Sequence, residues 1–595
     1  MVKEQVAQLI GAAVQRLIKD GLLPPGEYPV ALEAPRQAAH GDFSCNAAMT
    51  LAKAHAQATG AQKPNPRALA QALVERIEDP QGLLAGKPEI AGPGFLNLKL
   101  AQDVWQKASG VIWKEREQFG RTKFGKGQKT MVEFVSANPT GPMHVGHGRG
   151  AVLGDVIARL LDTAGYDVAR EFYINDAGGQ VWRLAHAVLS RATDLLGDVP
   201  PVALDPEDYQ GEYIKDVAQA FIAATPDVRV IVQRPFLAIR EQLRAFSTTW
   251  ILENLIKKDL ELFGIRFDRF FSEKTLHDQD RLSAAVKVLE AKGLVEEALL
   301  PPPKGVDTHE DEYVARPLKV VKTTQFGDDR DRPLYKTSGE PTYFAADVAY
   351  HWDKIDRGFR RLINVWGADH GGYVQRMKAA VQAMGGELEV ILFQLVNLMK
   401  DGQPFKMSKR AANFVTLREL LETAGADATR VFFLLRRGDM ALDFDIGLAQ
   451  KRDNTNPVFY VQYGHARCAA ILRKAREEKG LEPSFDPAAL AALQLPEEIG
   501  LVKKLLEWPE LVAHAAASLE PHKVVFYLQD IIGEFHSYYT KYKKTERVIS
   551  DDPQKTAARL YLVWAVKQVL ANALSVLGVS APDRMDAPDE ELAQA

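Results

Sequence analysis

Residues 130–150 read TMVEFVSANPTGPMHVGHGRG and join a strand-like segment to the start of a helix. The run TMVEFVSA predicts a strand, and GRGAVLGDVIARLLDTAG predicts a helix that ends at Gly165. The next strand-like segment is DVAREFYI, so the order is strand, loop, helix, strand. Parallel sheets are built from such units, and their ligands bind at the carboxyl ends of the strands. The stretch therefore predicts an α/β domain with a binding site in the loop that carries HVGH.

The patterns on either side of this unit differ from it and predict three domains. Residues 1–110 combine helical patterns with strand-like EIAGPGFLNLKL and predict an N-terminal α+β domain. Residues 111–455 predict the parallel-sheet domain, with a helical insertion at about 182–300. Residues 456–595 show helical patterns alone and predict an all-α bundle. Further strands of the sheet domain are predicted at PTYFAADVAY, RLINVWGADH and EVILFQLVNLM.

The composition is that of an ordinary globular protein. Hydrophobic residues make up 46% and charged residues 26% of the 595 positions, which excludes a largely disordered or fibrous chain. The net charge of −4 gives no overall attraction to nucleic acid, although local basic surface can still bind it. Cys45 and Cys468 form no disulfide framework and fit a reducing compartment. No apolar run approaches the ~18 residues that span a bilayer, so we expect a cytoplasmic protein without a membrane segment.

His144 and His147 are three residues apart at a predicted helix start. Side chains at that spacing share one face, and helix-start N–H groups favour anions. Gly146 between them lets a flat group approach the backbone. The motif therefore fits a cradle for phosphate oxygens. A polar helix cap is an equal alternative, and a metal site would need a third ligand.

The segment QPFKMSKRAANFVTLREL carries a second basic motif. Lys406 and Lys409 bracket Met407 and Ser408, and a helix is predicted to start near Thr416. Two ammonium groups on a short loop could neutralise a polyphosphate, although KMSK alone also fits a solvated basic turn. The two motifs together, at the two ends of one α/β domain, favour a triphosphate site.

HVGH followed by KMSKR resembles the signature pair of class I aminoacyl-tRNA synthetases. The flanking segments SANPTGPMHVGHGRGAVLGD, EFYINDAGGQV, TYFAADVAYH and LGVSAPDRM resemble the arginyl-tRNA synthetase family, over essentially the whole chain. The resemblance implies a Rossmann-like catalytic domain, an N-terminal tRNA-contacting domain and a C-terminal anticodon-binding domain. It implies ATP-dependent ligation of L-arginine to tRNA(Arg) through an arginyl-adenylate, with release of AMP and pyrophosphate. We expect ATP with Mg²⁺ as substrate, no bound structural metal and a monomer.

The resemblance also implies roles for individual residues. The catalytic positions are His144, His147, Lys406 and Lys409. The ATP-binding positions are Gly146, Gly367, Asp369, Met407 and Ser408. The arginine-binding positions are Glu133, Asn138, Tyr343, Asp347 and His370.

A guanidinium in a pocket requires carboxylate partners, because an unpaired buried charge is heavily penalised. Glu133 and Asp347 match family positions that hold the substrate guanidinium. Without the resemblance, Glu133 would be interpreted as an edge-strand surface acid and Asp347 as a solvated helix acid. Some relatives carry an amide at the position of His370, so a structural histidine is an equal alternative there.

The segment FHSYYTKYKKTER interleaves aromatic and basic side chains and predicts a tRNA contact. The candidates are Tyr538, Tyr542, Lys541, Lys543, Lys544 and Arg547. The alternative is a helix with a buried aromatic face and a solvated basic face.

Three other functions compete with this hypothesis. A nucleotidyltransferase can share HxGH but leaves the N- and C-terminal domains unexplained. A silent tRNA-binding paralogue has no use for a complete phosphate site. A zinc hydrolase using the histidine pair should be sensitive to zinc chelators.

Overall fold

The structure of the chain, a computed structural model, describes residues 2–35, 37–60, 62–299, 317–400, 402–405 and 415–586. Its strands are β1 Leu32–Glu33, β2 Phe43–Cys45, β3 Glu89–Ala91, β4 Phe95–Leu98, β5 Lys129–Glu133, β6 Asp167–Ile174, β7 Arg269–Ser272, β8 Val295–Ala298, β9 Leu318–Val321, β10 Arg332–Pro333, β11 Arg361–Gly367, β12 Glu387–Phe393, β13 Val396–Lys400, β14 Gln403–Pro404 and β15 Leu442–Asp445.

The α-helices alternate with these strands in the middle of the chain and follow one another towards its end. They are α1 Val2–Lys19, α2 Ala47–Thr59, α3 Pro66–Glu75, α4 Gln102–Ala108, α5 Gly110–Glu115, α6 Val145–Thr163, α7 Gly179–Leu196, α8 Tyr213–Ala224, α9 Val228–Ile231, α10 Phe236–Ile251, α11 Lys257–Leu262, α12 Lys274–Asp278, α13 Arg281–Ala291, α14 Tyr343–Asp356, α15 Val374–Met384, α16 Leu417–Ala424, α17 Ala426–Phe433, α18 Ile446–Gln450, α19 Pro457–Lys479, α20 Pro487–Leu490, α21 Pro496–Leu506, α22 Trp508–Ser518, α23 His522–Tyr542 and α24 Pro553–Leu577.

The described chain divides into two compact units. The first contains residues up to 119 together with 464–508 and 530–570, and its sheet is antiparallel in the order β1-β2-β4-β3. The second contains 120–463, 509–529 and the residues from 571 on. Its main sheet has five parallel strands in the order β12-β11-β5-β6-β7. The predicted parallel sheet is therefore confirmed.

The strand order of this sheet reverses beside β5. From β5 the chain adds β6 and β7 on one side, and it later adds β11 and β12 on the other. Such a switch point opens a crevice at the carboxyl ends of the two neighbouring strands. Helix α6 connects β5 to β6. Gly165 comes just after this helix and has φ +88°, a left-handed conformation that suits the glycine predicted to end the helix. The HVGH segment therefore lies at the switch point.

The segment PTYFAADVAY is a helix, and its prediction as a strand is wrong. Thr342 caps α14 by accepting the N–H of Ala345 at 3.2 Å. Buried Phe344 and Ala345, then Val348, and then Ile355 recur at helical spacing. The aromatic and β-branched content favoured a strand, but the N-cap and the period of the pattern specify a helix.

The helical insertion is shorter than the predicted range of 182–300. Helices α7 to α11 occupy most of 179–262, but Arg269–Ser272 forms β7 at the edge of the main sheet. The alternation of large and polar residues in RFFS is too short to identify a strand by its period. Between residues 456 and 586, all of which the structure describes, only helices occur among regular elements, so the predicted all-α region is confirmed.

Helix α24 is long and apolar enough to cross a membrane by length and composition. The expectation that no segment approaches that length is therefore wrong. Of its most apolar window, 72% is buried inside the protein, as in the core helix of a soluble domain.

Candidate active site

A cavity of about 850 Å³ opens at the carboxyl end of the main sheet, within the second unit. Its lining comes from the carboxyl ends of β5, β6, β11 and β12, the start of α6, and α14. A volume of this size is typical of small-molecule sites. Nine residues predicted for ATP or arginine line it, namely Glu133, Asn138, His144, Gly146, His147, Asp347, Gly367, Asp369 and His370.

His144 and His147 cap α6 reciprocally. The N–H of His144 donates to Nδ1 of His147 at 3.2 Å, and the N–H of His147 donates to Nδ1 of His144 at 3.4 Å. The rings stack with centroids 3.7 Å apart. Because both Nδ1 atoms accept, the neutral rings carry their protons on Nε2, which is a donor. The cap interpretation is thus correct, and each neutral ring carries an Nε2–H group, a type of donor suited to phosphate oxygens.

Burial keeps this pair neutral. It lowers the pKa of His144, and burial together with the neighbouring His144 lowers the pKa of His147 to about 3. Gly146 is required by the stacking, since an added Cβ would lie 2.9 Å from Cε1 of His144. The glycine therefore makes room for the histidine ring.

Lys406, Met407, Ser408 and Lys409 lie outside the described residues. The chain that follows them is described from Val415 on, and it runs beside the HVGH segment. Val145 N–H donates to Val415 O at 3.3 Å, and Leu417 N–H donates to Met143 O at 2.8 Å. Thr416 caps α16 with Glu419 in a capping box, which confirms the predicted helix start.

Two carboxylates form the acidic part of the cavity. Glu133 ends the central strand β5 and is buried, so it is not an edge-strand surface acid. Asp347 lies on α14, and its Oδ2 accepts the hydroxyl of Tyr373 at 2.6 Å. Burial raises the pKa of Asp347 to about 6; the Tyr373 hydrogen bond opposes this shift, and the charge of Glu133 adds to it. Both acids therefore face the same enclosed space as the histidine pair.

A buried polar row lies across three strands at this level. Asn364 of β11, Glu133 of β5 and Glu171 of β6 are register partners, and all three are buried. Side chains of α14 at a spacing of three and four residues pair with the row. Lys354 Nζ donates to Glu133 Oε2 at 2.6 Å, and Tyr350 Oη donates to Glu171 Oε1 at 2.9 Å. The helix therefore pairs with the two carboxylates that the sheet buries.

The hydrogen bonds of His351 continue this network. Its Nδ1 donates to the backbone carbonyl of Asp347 at 2.7 Å, and its Nε2 accepts from Asn364 Nδ2 at 3.1 Å. Burial and the nearby charge of Lys354 lower the pKa of His351 to about 3, so the ring is neutral. Asn364 Oδ1 in turn accepts from Lys354 at 3.4 Å.

The backbone after Glu133 is strained. Val135 has φ +67° and Ser136 has φ +41°, a region that β-branched residues rarely adopt. Ser136 N–H donates to Phe134 O at 2.9 Å, which closes a three-residue turn around Val135. The turn directs Ser136 Oγ to Glu133 Oε1 at 3.1 Å. Strain of this kind is concentrated at functional sites.

Tyr343 is the one predicted arginine contact within the described residues that the cavity does not include. It is the first residue of α14 and is 86% exposed. Asn138 is exposed at the rim and donates to Gln180 Oε1 at 2.8 Å. His370 and Asp369 are exposed neighbours in the lining, with Nε2 of His370 3.5 Å from Oδ2 of Asp369. Sequence reasoning missed the lining residues Ser136, Tyr173, Tyr350, His351, Asn364 and Tyr373.

In the first unit, the basic and aromatic segment forms the end of α23 and the turn after it. Tyr538 is only 1% exposed and donates to Glu498 Oε1 at 3.2 Å, so it belongs to the core. Glu497 accepts from Tyr542 Oη at 3.1 Å and from Lys541 Nζ at 2.5 Å. A cavity of about 400 Å³ lies beside them, and its lining includes Lys474, Lys479, Tyr539, Tyr542, Lys543 and Arg547.

The described residues contain no group of three or more His, Cys, Asp or Glu side chains that could hold a metal ion. Within that part of the chain, His144 and His147 therefore lack the third ligand that a zinc site needs. The histidine pair is engaged with the helix backbone instead.

Three family models match the chain in succession. Residues 4–100 match the arginyl-tRNA synthetase N-terminal domain, 111–433 the class I (R) tRNA synthetase catalytic domain, and 461–585 the DALR anticodon-binding domain. The matches at residues 4–100 and 461–585 argue against a nucleotidyltransferase, because that class of enzyme would not account for these two domains.

Full-length relatives give the same assignment. An arginine–tRNA ligase of Anaeromyxobacter dehalogenans (strain 2CP-C) is 48% identical, with 99% of each chain covered. One from Citrifermentans bemidjiense is 43% identical, covering 98% of this chain and 100% of the relative. The Thermus thermophilus arginyl-tRNA synthetase structure shares the fold, with a TM-score of 0.70 at 22% identity over 98% of this chain and 100% of that one. The chain therefore belongs to the arginyl-tRNA synthetase family of class I enzymes.

Proposed function

We propose that the protein is an arginine–tRNA ligase, which activates L-arginine with ATP to an arginyl-adenylate and transfers the arginyl group to tRNA(Arg). The observation that carries the proposal is one cavity lined both by the His144–His147 pair and by two carboxylates, Glu133 and Asp347. ATP enters as its Mg²⁺ complex and leaves as AMP and pyrophosphate. The reaction serves protein biosynthesis in the cytoplasm, and the enzyme acts as a monomer without a membrane.

The roles follow from charge and donor geometry. The Nε2–H groups of His144 and His147 donate to the α-phosphate as charge develops on it. Lys406 and Lys409, with Met407 and Ser408 between them, neutralise the β- and γ-phosphates as pyrophosphate departs. The adenosine contacts are Gly146, Gly367 and Asp369.

Glu133 and Asp347 receive the guanidinium, whose planar fork matches carboxylate oxygens. Asn138 and His370 contact the amino-acid end of the substrate at the rim. Tyr343 is exposed and outside the cavity lining, so it contacts the substrate only after a change of its side-chain rotamer.

For tRNA, the exposed cations Lys543, Lys544 and Arg547 hold phosphates beside the 400 Å³ cavity. Tyr542 lines this cavity, and both Tyr542 and Lys541 donate to Glu497, whereas Tyr538 supports the helix from the core. The proposed domains are an N-terminal tRNA-contacting domain at 1–110, a catalytic domain at 111–455 and an anticodon-binding domain at 456–595.

The test is ATP–pyrophosphate exchange in the presence of total tRNA, with arginine compared with lysine, ornithine and citrulline. Only arginine should support exchange, because the carboxylates demand a planar cation. The Lys409→Ala variant should lower kcat, whereas Asp347→Asn should raise KM for arginine. Failure of every amino acid to support exchange would refute the enzyme assignment.

A further inference from the structure

Lys354 lies beneath the acidic end of the cavity. Its side chain is completely buried and is not part of the cavity lining, so a ligand in the cavity does not reach it. The ammonium lies 2.6 Å from Glu133 Oε2, 3.4 Å from Asn364 Oδ1 and 4.2 Å from the ring centroid of Tyr350. Of the three N–H donors of an ammonium, two make these hydrogen bonds, and the Tyr350 ring lies beside the charge. Lys354 is therefore engaged with protein groups before any ligand binds.

Glu133 is consequently held at both carboxylate oxygens. Lys354 donates to Oε2, and Ser136 Oγ donates to Oε1 at 3.1 Å. Ser136 is itself fixed, because its Oγ also accepts the N–H of Tyr173 at 3.1 Å. Each carboxylate oxygen has two lone pairs, so each retains one acceptor position. These two positions lie on one rigid carboxylate group.

We propose that Lys354 is a positioning residue for arginine recognition, which fixes the Glu133 carboxylate for the incoming guanidinium and balances the charge of the empty site. The inference rests on the proposed arginine site. Without a cation, buried Glu133 would be an uncompensated charge, which proteins strongly disfavour. With arginine bound, Glu133 and Asp347 face Lys354 and the guanidinium, so two anions meet two cations.

The charge of Lys354 also acts on Asp347. It lowers the pKa of that carboxyl, against burial and the charge of Glu133, which raise it. The other groups near Asp347 are the hydroxyls of Tyr373 and Tyr173, the carboxyl of Glu273, and the neutral ring of His351, which donates to the Asp347 backbone carbonyl. Loss of the lysine charge should therefore make Asp347 retain its proton to a higher pH, and arginine binding should recover as pH rises.

The experiment measures KM for arginine and for ATP in tRNA-supported pyrophosphate exchange with the full-length enzyme. Lys354→Met should raise KM for arginine by about 10- to 100-fold and change KM for ATP by less than about twofold. Raising the pH from 6 to 8.5 should recover more of the arginine affinity in Lys354→Met than in the wild type. Lys354→Arg should retain most of the wild-type affinity, because it keeps the charge.

Arg357→Met is the matched control. Arg357 follows on the same helix and is also charged, but its guanidinium pairs with Glu171 at 2.8 Å and not with Glu133. Its loss should lower the melting temperature and leave KM for arginine within about threefold, since additivity holds for groups without shared partners. If Lys354→Met does not fold, as judged by circular dichroism, Lys354→Gln replaces it, because it can donate to Glu133 without a charge.

Glu133→Gln separates this inference from the site on which it rests. If Glu133→Gln leaves KM for arginine unchanged, the proposed arginine site is wrong. If Glu133→Gln raises that KM while Lys354→Met does not, the site stands and the role of Lys354 is refuted. When both act through one carboxylate, the double variant should be no worse than Glu133→Gln alone. Equal increases in the arginine and ATP KM values of Lys354→Met would indicate general disruption and also refute the inference.

Discussion

Arginine binding should titrate with the carboxyl group of Asp347. Burial raises the pKa of this group to about 6. Only the ionised carboxylate can accept the guanidinium as a paired anion, so a proton and arginine compete for the same group. The affinity for arginine should therefore rise as pH increases through about 6 and reach a plateau above it.

The size of the effect follows from that pKa. If the bound state excludes the protonated carboxyl, KM for arginine is multiplied by 1 + 10^(pKa − pH), which is about 2 at pH 6 and about 11 at pH 5. At pH 7 the factor is only about 1.1, so the enzyme is close to its plateau at neutral pH. A tenfold change corresponds to about 1.4 kcal/mol of binding free energy.

The assay is KM for arginine in pyrophosphate exchange with tRNA, measured from pH 5 to pH 8, with KM for ATP as an internal reference. Asp347→Asn should raise KM for arginine about 10- to 100-fold, as expected for the loss of a charge-assisted hydrogen bond. It should also abolish the titration, because an amide does not ionise in this range. A wild-type KM that stays flat down to pH 5, or an Asn variant that still titrates, would show that Asp347 does not control arginine binding.

Other ionisable groups at the cavity have to be separated from Asp347. The pKa of His147 is lowered to about 3, so protonation of His147 does not explain an effect near pH 6. Burial also lowers the pKa of His144. Burial raises the pKa of Glu273 to about 7, and this carboxyl faces Asp347. The Glu273→Gln variant should retain a titration near pH 6. Loss of the titration in this variant would assign it to Glu273 instead.

Two further predictions concern packing and the tRNA contact. Gly154→Ala should destabilise the protein by ~1–3 kcal/mol, because the added Cβ would lie 2.1 Å from Cγ of buried Phe134. Gly11 is a helical glycine whose added Cβ would meet nothing within 4 Å, so Gly11→Ala should instead stabilise the protein by ~0.5–1 kcal/mol. Thermal unfolding measures both changes. Tyr538→Phe should cost ~1 kcal/mol of stability through its lost hydrogen bond and leave KM for tRNA unchanged in aminoacylation assays. Arg547→Ala should instead raise KM for tRNA and leave the stability unchanged.

Local signals were sufficient for the parts of the site that lie close together in the chain. The strand, loop and helix around HVGH could be predicted because a β-branched run, a turn and a glycine after the helix all lie within the thirty-six residues 130–165. The reciprocal cap of His144 and His147 depends on their spacing of three, which the sequence displays directly.

The polar row could not be predicted in the same way. Asn364, Glu133 and Glu171 become neighbours only through the register of three strands that are far apart in sequence. A second signal, the helical spacing of the polar residues of α14, was lost because this segment was predicted to be a strand. Read as a helix, its polar residues at 347, 350, 351, 354 and 357 follow a spacing of three and four, which indicates one face pairing with buried partners.

In the proposed arginine site, this arrangement accounts for selection of arginine over lysine, although Lys354 lies directly beneath the cavity. Lys354 and Ser136 each occupy one side of the Glu133 carboxylate, so the remaining acceptor positions are on two separate oxygens of a fixed group. A guanidinium presents two parallel N–H donors that can meet both positions at once. An ammonium is a compact point charge, and placed here it would approach a carboxylate that already holds one. Selectivity thus follows from the buried partners of Glu133 as much as from the residues that line the cavity.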